Sequence, residues 1–523
     1  MDIISILTDP IKAGLAVNLL PLVLWLLMKT PLQNWTVSAL SWVLNWYLSN
    51  RYAVHHIEDK SALPGCQYQW PNGQGDEAKF KSGKENSEQW GEEYGGIYRI
   101  WSGSTPEIVL TKPEHIKVVF KDSNKHQKAV DNNSGYLMSK ILGQCVGLIS
   151  GDKWARVRSV SEKPFVRSAV PSYVSMINAR TKRHFRELVD EGKLRDGTIH
   201  PAEDMKLLAF WIIAEIIYGP LDADMENRLL ALIPLRENLF KYVIAGGLPR
   251  FSWSKYLPLQ ANRELRNFRA KWHEFNKYAR ARAEREGSGA LIIHLFDAVA
   301  RGEITSEQMY HTVDEALYAN LDVTLGALSW NLVFLGAHKD IQARVRAEIT
   351  ERREMAEIDE TVMNAYFMST TTLLSACMDE SSRLRPLAAF SVPQSAPTPR
   401  EIDGYVFPAG TNFIVDAYAL NIRNSFWGDD SDQYRPDRFF KVKGTEARYN
   451  FWRFGFGPRQ CMGKYVADTL IRAILVHLVE NYELGSMDSE WKRDEEVWIN
   501  HPDFRVACSP RNKYGLSDLN SSA

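Results

Sequence analysis

Cysteine is scarce in this chain: Cys66, Cys145, Cys377, Cys461 and Cys508 are the only five in 523 residues. No two form a CxxC pair, which excludes the usual zinc modules, and an odd, scattered set excludes a disulfide scaffold. The count suits a reducing compartment and raises the question of whether one cysteine does chemistry alone. Charge of one sign is also missing, since 63 Lys and Arg residues face 64 Asp and Glu, a formal net charge of -1. No global field attracts nucleic acid, so no nucleic-acid partner is expected. Internal repeats are absent too, which excludes a solenoid or propeller. What remains, 45% hydrophobic and 24% charged residues, is the composition of a chain that buries a sizeable core.

Long apolar runs occur once. Ala13 to Met28, AGLAVNLLPLVLWLLM, is interrupted only by Asn18 and Pro21. A span takes about 20 residues, so this run with its flanks reads as a retained membrane anchor, and no small-residue cleavage site follows it. The next stretch, Thr36 to Leu48, carries Trp42, Trp46 and Tyr47 and suits an interfacial helix. Residues 1–50 are therefore expected to be the anchor and interfacial segment, and 51–523 the catalytic domain. Lys29 and Arg51 follow the anchor whereas Asp2 and Asp9 precede it, which favours a cytosolic C-terminal side. The sequon at Asn132 is then expected to stay unmodified, like that at Asn520. From Asp59 to Tyr94 the composition, rich in Gly, Lys, Glu and Gln, is linker-like.

Beyond it, IYRIWSG and PEIVLT read as two strands about a Gly103–Ser104 turn, and KPEHIKVVF starts a helix with Pro113 in its first turn. The signal is then helical to about Ala388, with strands returning in short pieces such as YVFPAGTNFIV near residue 410. The expected fold is mainly α with a small β portion.

The sharpest local signal is Phe454 to Gly463, FGFGPRQCMG. Val466, Leu470, Ile474 and Leu478 recur every four positions after it, so a helix begins just beyond Cys461. Unpaired N–H groups at a helix start favour a thiolate, a ready metal ligand. Gly457 and Gly463 permit a tight turn around the sulfur, Phe454 can wall it from water, and Arg459 adds a cation.

This loop, F-x-x-G-x-R-x-C-x-G, resembles the heme-binding loop of the cytochrome P-450 family at every fixed position. The resemblance implies that Cys461 is the axial thiolate of a b-type heme, with Phe454 and Arg459 beside the cofactor. Three further motifs follow the family's order. Glu380 and Arg383 resemble its E-x-x-R helix, and Arg438 in YRPDRF completes a Glu-Arg-Arg cluster whose role is structural. Trp154 and Arg158 resemble its W-x-x-x-R pair, which with Arg459 implies donors to the heme propionates. Gln394 stands where relatives often carry a base, so one propionate is expected to lack a usual partner.

A capping box at Thr305-Ser306-Glu307-Gln308 opens the helix expected to cross the distal face. Within it, Ala319 to Thr324 resembles A-G-x-D-T-T, with Asn320 in place of glycine and Val323 in place of the hydroxyl residue that helps relay protons. Asp322 and Thr324 are the catalytic candidates. Thr324 sits one residue late, rotated by about 100°.

The resemblance thus implies a microsomal P-450 on an endoplasmic reticulum anchor. It would use O2 and electrons from NADPH through NADPH-cytochrome P-450 reductase to hydroxylate or epoxidise an apolar small molecule. ANLDVTLGALSWN and KYLPLQANRELRNF are similar to fungal members of specialised-metabolite pathways. Substrate contacts are expected from about Asn124 to Val146, Leu317 to Val323, Ala388 to Val392 and Trp498 to Phe504. Arg453, Lys464, Lys441 and Lys443 are expected to form a basic docking patch for the reductase. Two other readings remain at this point: an oxidative coupling or ring-forming enzyme without oxygen insertion, and a heme-binding protein without turnover.

Overall fold

The elements that hold the site follow from apolar runs and a few turn residues. In the computed structural model, residue 23 and residues 25–487 and 490–511 are described. Strands β1 (Ile97–Ser102) and β2 (Thr105–Leu110) pair antiparallel about a turn in which Gly103 has φ 55°. Both are buried on nearly every residue, because elements pack on both faces of the sheet. Short strands β3 (Gln127–Lys128), β4 (Gln394–Ser395) and β5 (Asn412–Val415) complete a five-stranded sheet in the order β1-β2-β5-β4-β3. The segment YVFPAGTNFIV divides: Tyr405–Phe407 pairs with Arg400–Ile402, while β5 joins β2 in parallel. Pro408 and a left-handed Gly410 turn the chain between them.

Helices make up most of the remainder. Those that position the site are α1 (Gln33–Arg51), α2 (Gly151–Ser161), α3 (Ala223–Ala245), α4 (Ser306–Asp314), α5 (Asn320–Ala337), α6 (Leu373–Leu384) and α7 (Lys464–Asn481). In α7 the four apolar residues read from the sequence, Val466, Leu470, Ile474 and Leu478, are all wholly buried. At the start of α4 the capping box forms: Gln308 N–H donates to Thr305 Oγ1 at 3.1 Å, and Thr305 N–H donates to Gln308 Oε1 at 2.8 Å. One π-helical turn, Glu315–Ala319, carries the chain from α4 into α5. Helix α5 is apolar nearly all round and runs through the largest core cluster, as a central helix must.

The stretch from Asp59 to Tyr94 is built into the fold. Cys66, Tyr68, Trp70 and Trp90 are buried, and a helix runs from Gly83 to Tyr94. Lys79, 1% exposed, reaches Glu107 of β2 at 3.2 Å and Asp76 at 3.4 Å. Its charges pair inward, so a polar composition does not make a linker here.

The apolar run from Ala13 lies largely outside the described residues. Among the described residues, no helix is long and apolar enough to cross a membrane. Helix α1 forms where the interfacial helix is expected. Its Leu48 packs with Tyr68, Trp70 and Trp101, while Trp35, Trp42 and Trp46 are 78%, 77% and 68% exposed.

Candidate active site

The loop before α7 is shaped by two left-handed glycines, Gly455 at φ 78° and Gly457 at φ 67°. A Cβ on Gly457 would lie 2.3 Å from Ser123 Oγ, so the loop closes on the turn at Ser123–Lys125 only because that position is glycine. Phe456 fixes the other side, ring to ring with Phe120, Tyr449 and Trp452. The Cys461 N–H donates to the Phe454 carbonyl at 2.9 Å, and the thiol is exposed although it stands deep within the fold. Burial pushes the thiol's pKa up, and the Gly463 N–H opposes that without cancelling it. The helix start therefore does not by itself create the thiolate expected from the sequence. A bound metal cation would, since coordination removes the proton.

Phe454 is half-buried and lies under the Arg453 guanidinium, 4.5 Å from the ring centre. Arg453 itself donates to Asp379 at 2.7 Å and Asp468 at 2.6 Å. It is committed to that pair of carboxylates, which removes it from the expected docking patch. Lys464 remains at the edge of the same face, its ammonium 4.6 Å from the Tyr465 ring centre. The face is concave there, with a cavity of about 570 Å³ between the cysteine loop, α7 and residues 444–451.

Charged side chains, three cations and the carboxylate of Glu315, gather about the cysteine. The guanidinium of Arg459 lies 4.7 Å from the Trp154 ring centre and donates to the Ile149 carbonyl at 2.6 Å. Arg158, one turn beyond Trp154 on α2, donates to Glu162 at 2.7 Å. Lys128, on β3, was not singled out by the sequence, where it reads as one more surface lysine. It stands opposite Gln394 in the β3–β4 pairing, so the neighbouring strand supplies the cation that Gln394 lacks. Burial and then the charge of Arg459 push Lys128 down to about 8, and burial with the charge of Arg158 holds Arg459 at about 10. Buried cations that repel one another fit a dianionic ligand, and the two carboxylates of a heme supply that charge.

Helix α5 follows Glu315, whose charge acts on both Cys461 and Lys128. Most described side chains in its first half are buried, but Asp322, Val323 and Ala327 are only partly so, as is Ala319 at the end of the π turn. Glu315 accepts from the Gly147 N–H at 3.1 Å. Ala319, Ala327 and Val392 pack at the edge of the main core, and Val323, Leu387 and Ala388 are likewise only partly buried. Thr324 is buried, 7% exposed. Asp322 is anchored: its Oδ2 accepts from Trp498 Nε1 at 2.9 Å, and its carbonyl accepts from His501 Nε2 at 2.7 Å. Burial raises the Asp322 pKa. The Trp498–His501 contacts were expected to touch substrate, whereas these two side chains hold the acid.

Glu380, Arg383 and Arg438 come together as expected. Arg383 Nε and Nη2 donate to the two Glu380 oxygens at 2.8 and 2.9 Å, and Arg438 Nε donates to Oε1 at 2.9 Å. Glu380 and Arg383 are wholly buried, and Arg383 also bonds the Asn421 carbonyl at 2.9 Å, so the cluster pins the chain before the cysteine loop to α6.

The profile of the family described as Cytochrome P450 matches residues 72–506. Cytochrome P450 monooxygenase aclC of Aspergillus oryzae is 53% identical over 89% of this chain and 95% of its own length. Cytochrome P450 monooxygenase asaD of Aspergillus flavus is 48% identical over 90% and 91%, and gliC of Aspergillus fumigatus 38% over 94% and 96%. A solved zebra fish cytochrome P450 with progesterone superposes with a TM-score of 0.64 at 17% identity, over 81% of this chain and 98% of that one. With that match over most of its length and relatives up to 53% identical, the chain belongs to the cytochrome P450 family of heme-thiolate monooxygenases.

Proposed function

We propose that this protein oxidises an apolar small molecule in a fungal secondary-metabolite pathway, and that Cys461 would hold the heme iron through its sulfur. The observation that carries this reading is that Lys128, Arg158 and Arg459 gather about the loop cysteine, the first two close enough for their charges to act on its sulfur. Lys128, Arg158, Arg459 and the Trp154 indole would hold the propionates. When bound, the heme supplies the activation of dioxygen with electrons from NADPH. The chain's residues orient and insulate. Phe454 and the loop backbone shield the sulfur from water, the apolar side chains of α5 desolvate the substrate, and Asp322 moves protons toward the substrate through water or Thr324. Val323 has the shape of threonine without its donor, so it shapes the pocket and carries no proton.

The relatives named cytochrome P450 monooxygenases support oxygen insertion. The catalytic domain, residues 51–523, would face the cytosol on the endoplasmic reticulum, tethered by residues 1–50. Lys441, Lys443 and Lys464 would steer an acidic NADPH-cytochrome P450 reductase to the cysteine-loop face. The test is product mass under labelled O2 with purified reductase and extracts of the producing fungus. Gain of one labelled oxygen is expected, whereas loss of two hydrogens without label would make the protein an oxidative coupling enzyme.

A further inference from the structure

A second, smaller cavity lies behind Asp322, with Phe240, Ala319 and Leu321 as its apolar lining. It measures about 20 Å³ and is lined by Arg236 and Glu237 of α3, Tyr318 of the π turn, Asp322 and Trp498. That is room for a water molecule, and a buried water needs two to four polar partners. Two are in place. Tyr318 Oη and Arg236 Nη2 have no hydrogen-bond partner among the described residues, and the two side chains belong to residues only 5% and 3% exposed. Buried polar atoms left in this state mark the position of an ordered water.

The surroundings give the cavity a direction. Arg236 is fixed by Asp314, whose two oxygens accept from its Nε at 2.8 and 3.0 Å. Its fork therefore stays aimed while Nη2 is left to orient a guest. On the inner side, Trp498 holds Asp322 Oδ2, which leaves Oδ1 for a bond from water. His501 fixes the helix turn by donating to the Asp322 carbonyl, an approach that a Cβ on Gly326 would block at 2.9 Å from the imidazole. On the outer side, Glu237 pairs with Lys206 at 2.7 Å, and both are more than a third exposed. Glu237 thus touches solvent and cavity together.

We propose that this cavity holds the water through which protons enter from Glu237 to Asp322, so that the acid is recharged from solvent through α3. This rests on Asp322 acting as the proton relay. Glu237 takes a proton from solvent and passes one to the cavity water, which passes one to Asp322. Each transfer breaks one O–H bond and forms another, and no electrons leave the chain. Tyr318, able to donate and accept, keeps the water in line, while Arg236 orients it. Trp498 and His501 are positioning residues.

Two measurements on the heme-loaded protein test the route. A crystal structure should contain a water within hydrogen-bond distance of Tyr318 Oη and Asp322, and a dry cavity overturns the proposal. NADPH oxidation with reductase and no added substrate is then compared in H2O and D2O. Glu237→Gln should slow it by about tenfold and enlarge the solvent isotope effect, with the reduced carbonyl spectrum unchanged, and Glu237→Asp should restore most of the rate. If Asp322→Asn slows oxidation while Glu237→Gln does not, the acid is a relay but this route is wrong. If neither substitution slows it, the reading of Asp322 fails and takes the route with it.

Discussion

Lys128 and Cys461 were unequally visible in the sequence, for a physical reason. The cysteine's surroundings are local: glycines, proline and a following helix within a dozen residues impose the loop. Lys128 acquires its meaning from Gln394, a residue brought beside it only by strand pairing. Its burial among cations has opposite consequences in the two forms of the protein. In the heme-free protein its pKa is about 8, below the roughly 10.4 of an unfolded lysine. Between those values the unfolded chain binds more protons, so this group makes stability rise with pH there, and at pH 7 it destabilises by up to about 3 kcal/mol. Lys128→Met should therefore raise the heme-free protein's melting temperature at pH 7 and flatten its rise toward pH 10. The same substitution should speed heme transfer to apomyoglobin. Faster melting together with unchanged heme retention would refute the assignment. Cys461→His should keep some heme but lose the thiolate-type carbonyl absorbance and NADPH-driven oxygenation, and an unaltered spectrum would dismiss Cys461 as the ligand.

Elements were legible where their signals are periodic or capped. The capping box at Thr305 and the four-residue repeat of α7 read directly, because both depend on neighbours three or four residues away. The π turn at Glu315–Ala319 did not, since nothing in EALYA departs from an α-helical pattern. The Asp59–Tyr94 stretch misled because charge is normally an exposure signal, and Lys79 is instead held between Glu107 and Asp76 in the interior. Glu107→Ala leaves that ammonium without its nearest carboxylate and should cost about 3–5 kcal/mol in urea unfolding. If Glu107→Ala unfolds like the parent, the pair is not buried in solution. Asn132 carries a related lesson: it is 7% exposed with a left-handed φ of 56°, so the folded protein hides this sequon whichever side of a membrane it occupies. Asn520 lies outside the described residues, and orientation has to be measured otherwise.

At the scale of the molecule, two faces divide the work. The cysteine-loop face carries the concavity and Lys464, and Arg453 is spent on internal pairing. Reversing Lys441 and Lys464 to Glu should slow reduction by the reductase at low salt and flatten its salt dependence, since such charges are screened over about 10 Å at 0.1 M. Equal rates at low salt would make the patch incidental. The other face is aromatic. Trp35, Trp42 and Trp46 stand seven and four residues apart, which places them on one side of α1, and all are more than half exposed. Helix α1 shares a core cluster with Leu248 and Phe251, a few residues before Tyr256, which is 78% exposed. These rings are bound to the catalytic body itself, so on the proposed membrane tether the apolar run from Ala13 would not be the sole point of contact. Interfacial aromatics gain most at the headgroup boundary, where the ring is sheltered and the indole N–H stays solvated. A protein lacking residues 1–32 should therefore still sediment with phosphatidylcholine vesicles, and Trp35→Glu, Trp42→Glu and Trp46→Glu together should release it while leaving the reduced carbonyl spectrum intact. A truncated protein that stays in the supernatant before any tryptophan is changed would assign the tether wholly to the first 32 residues.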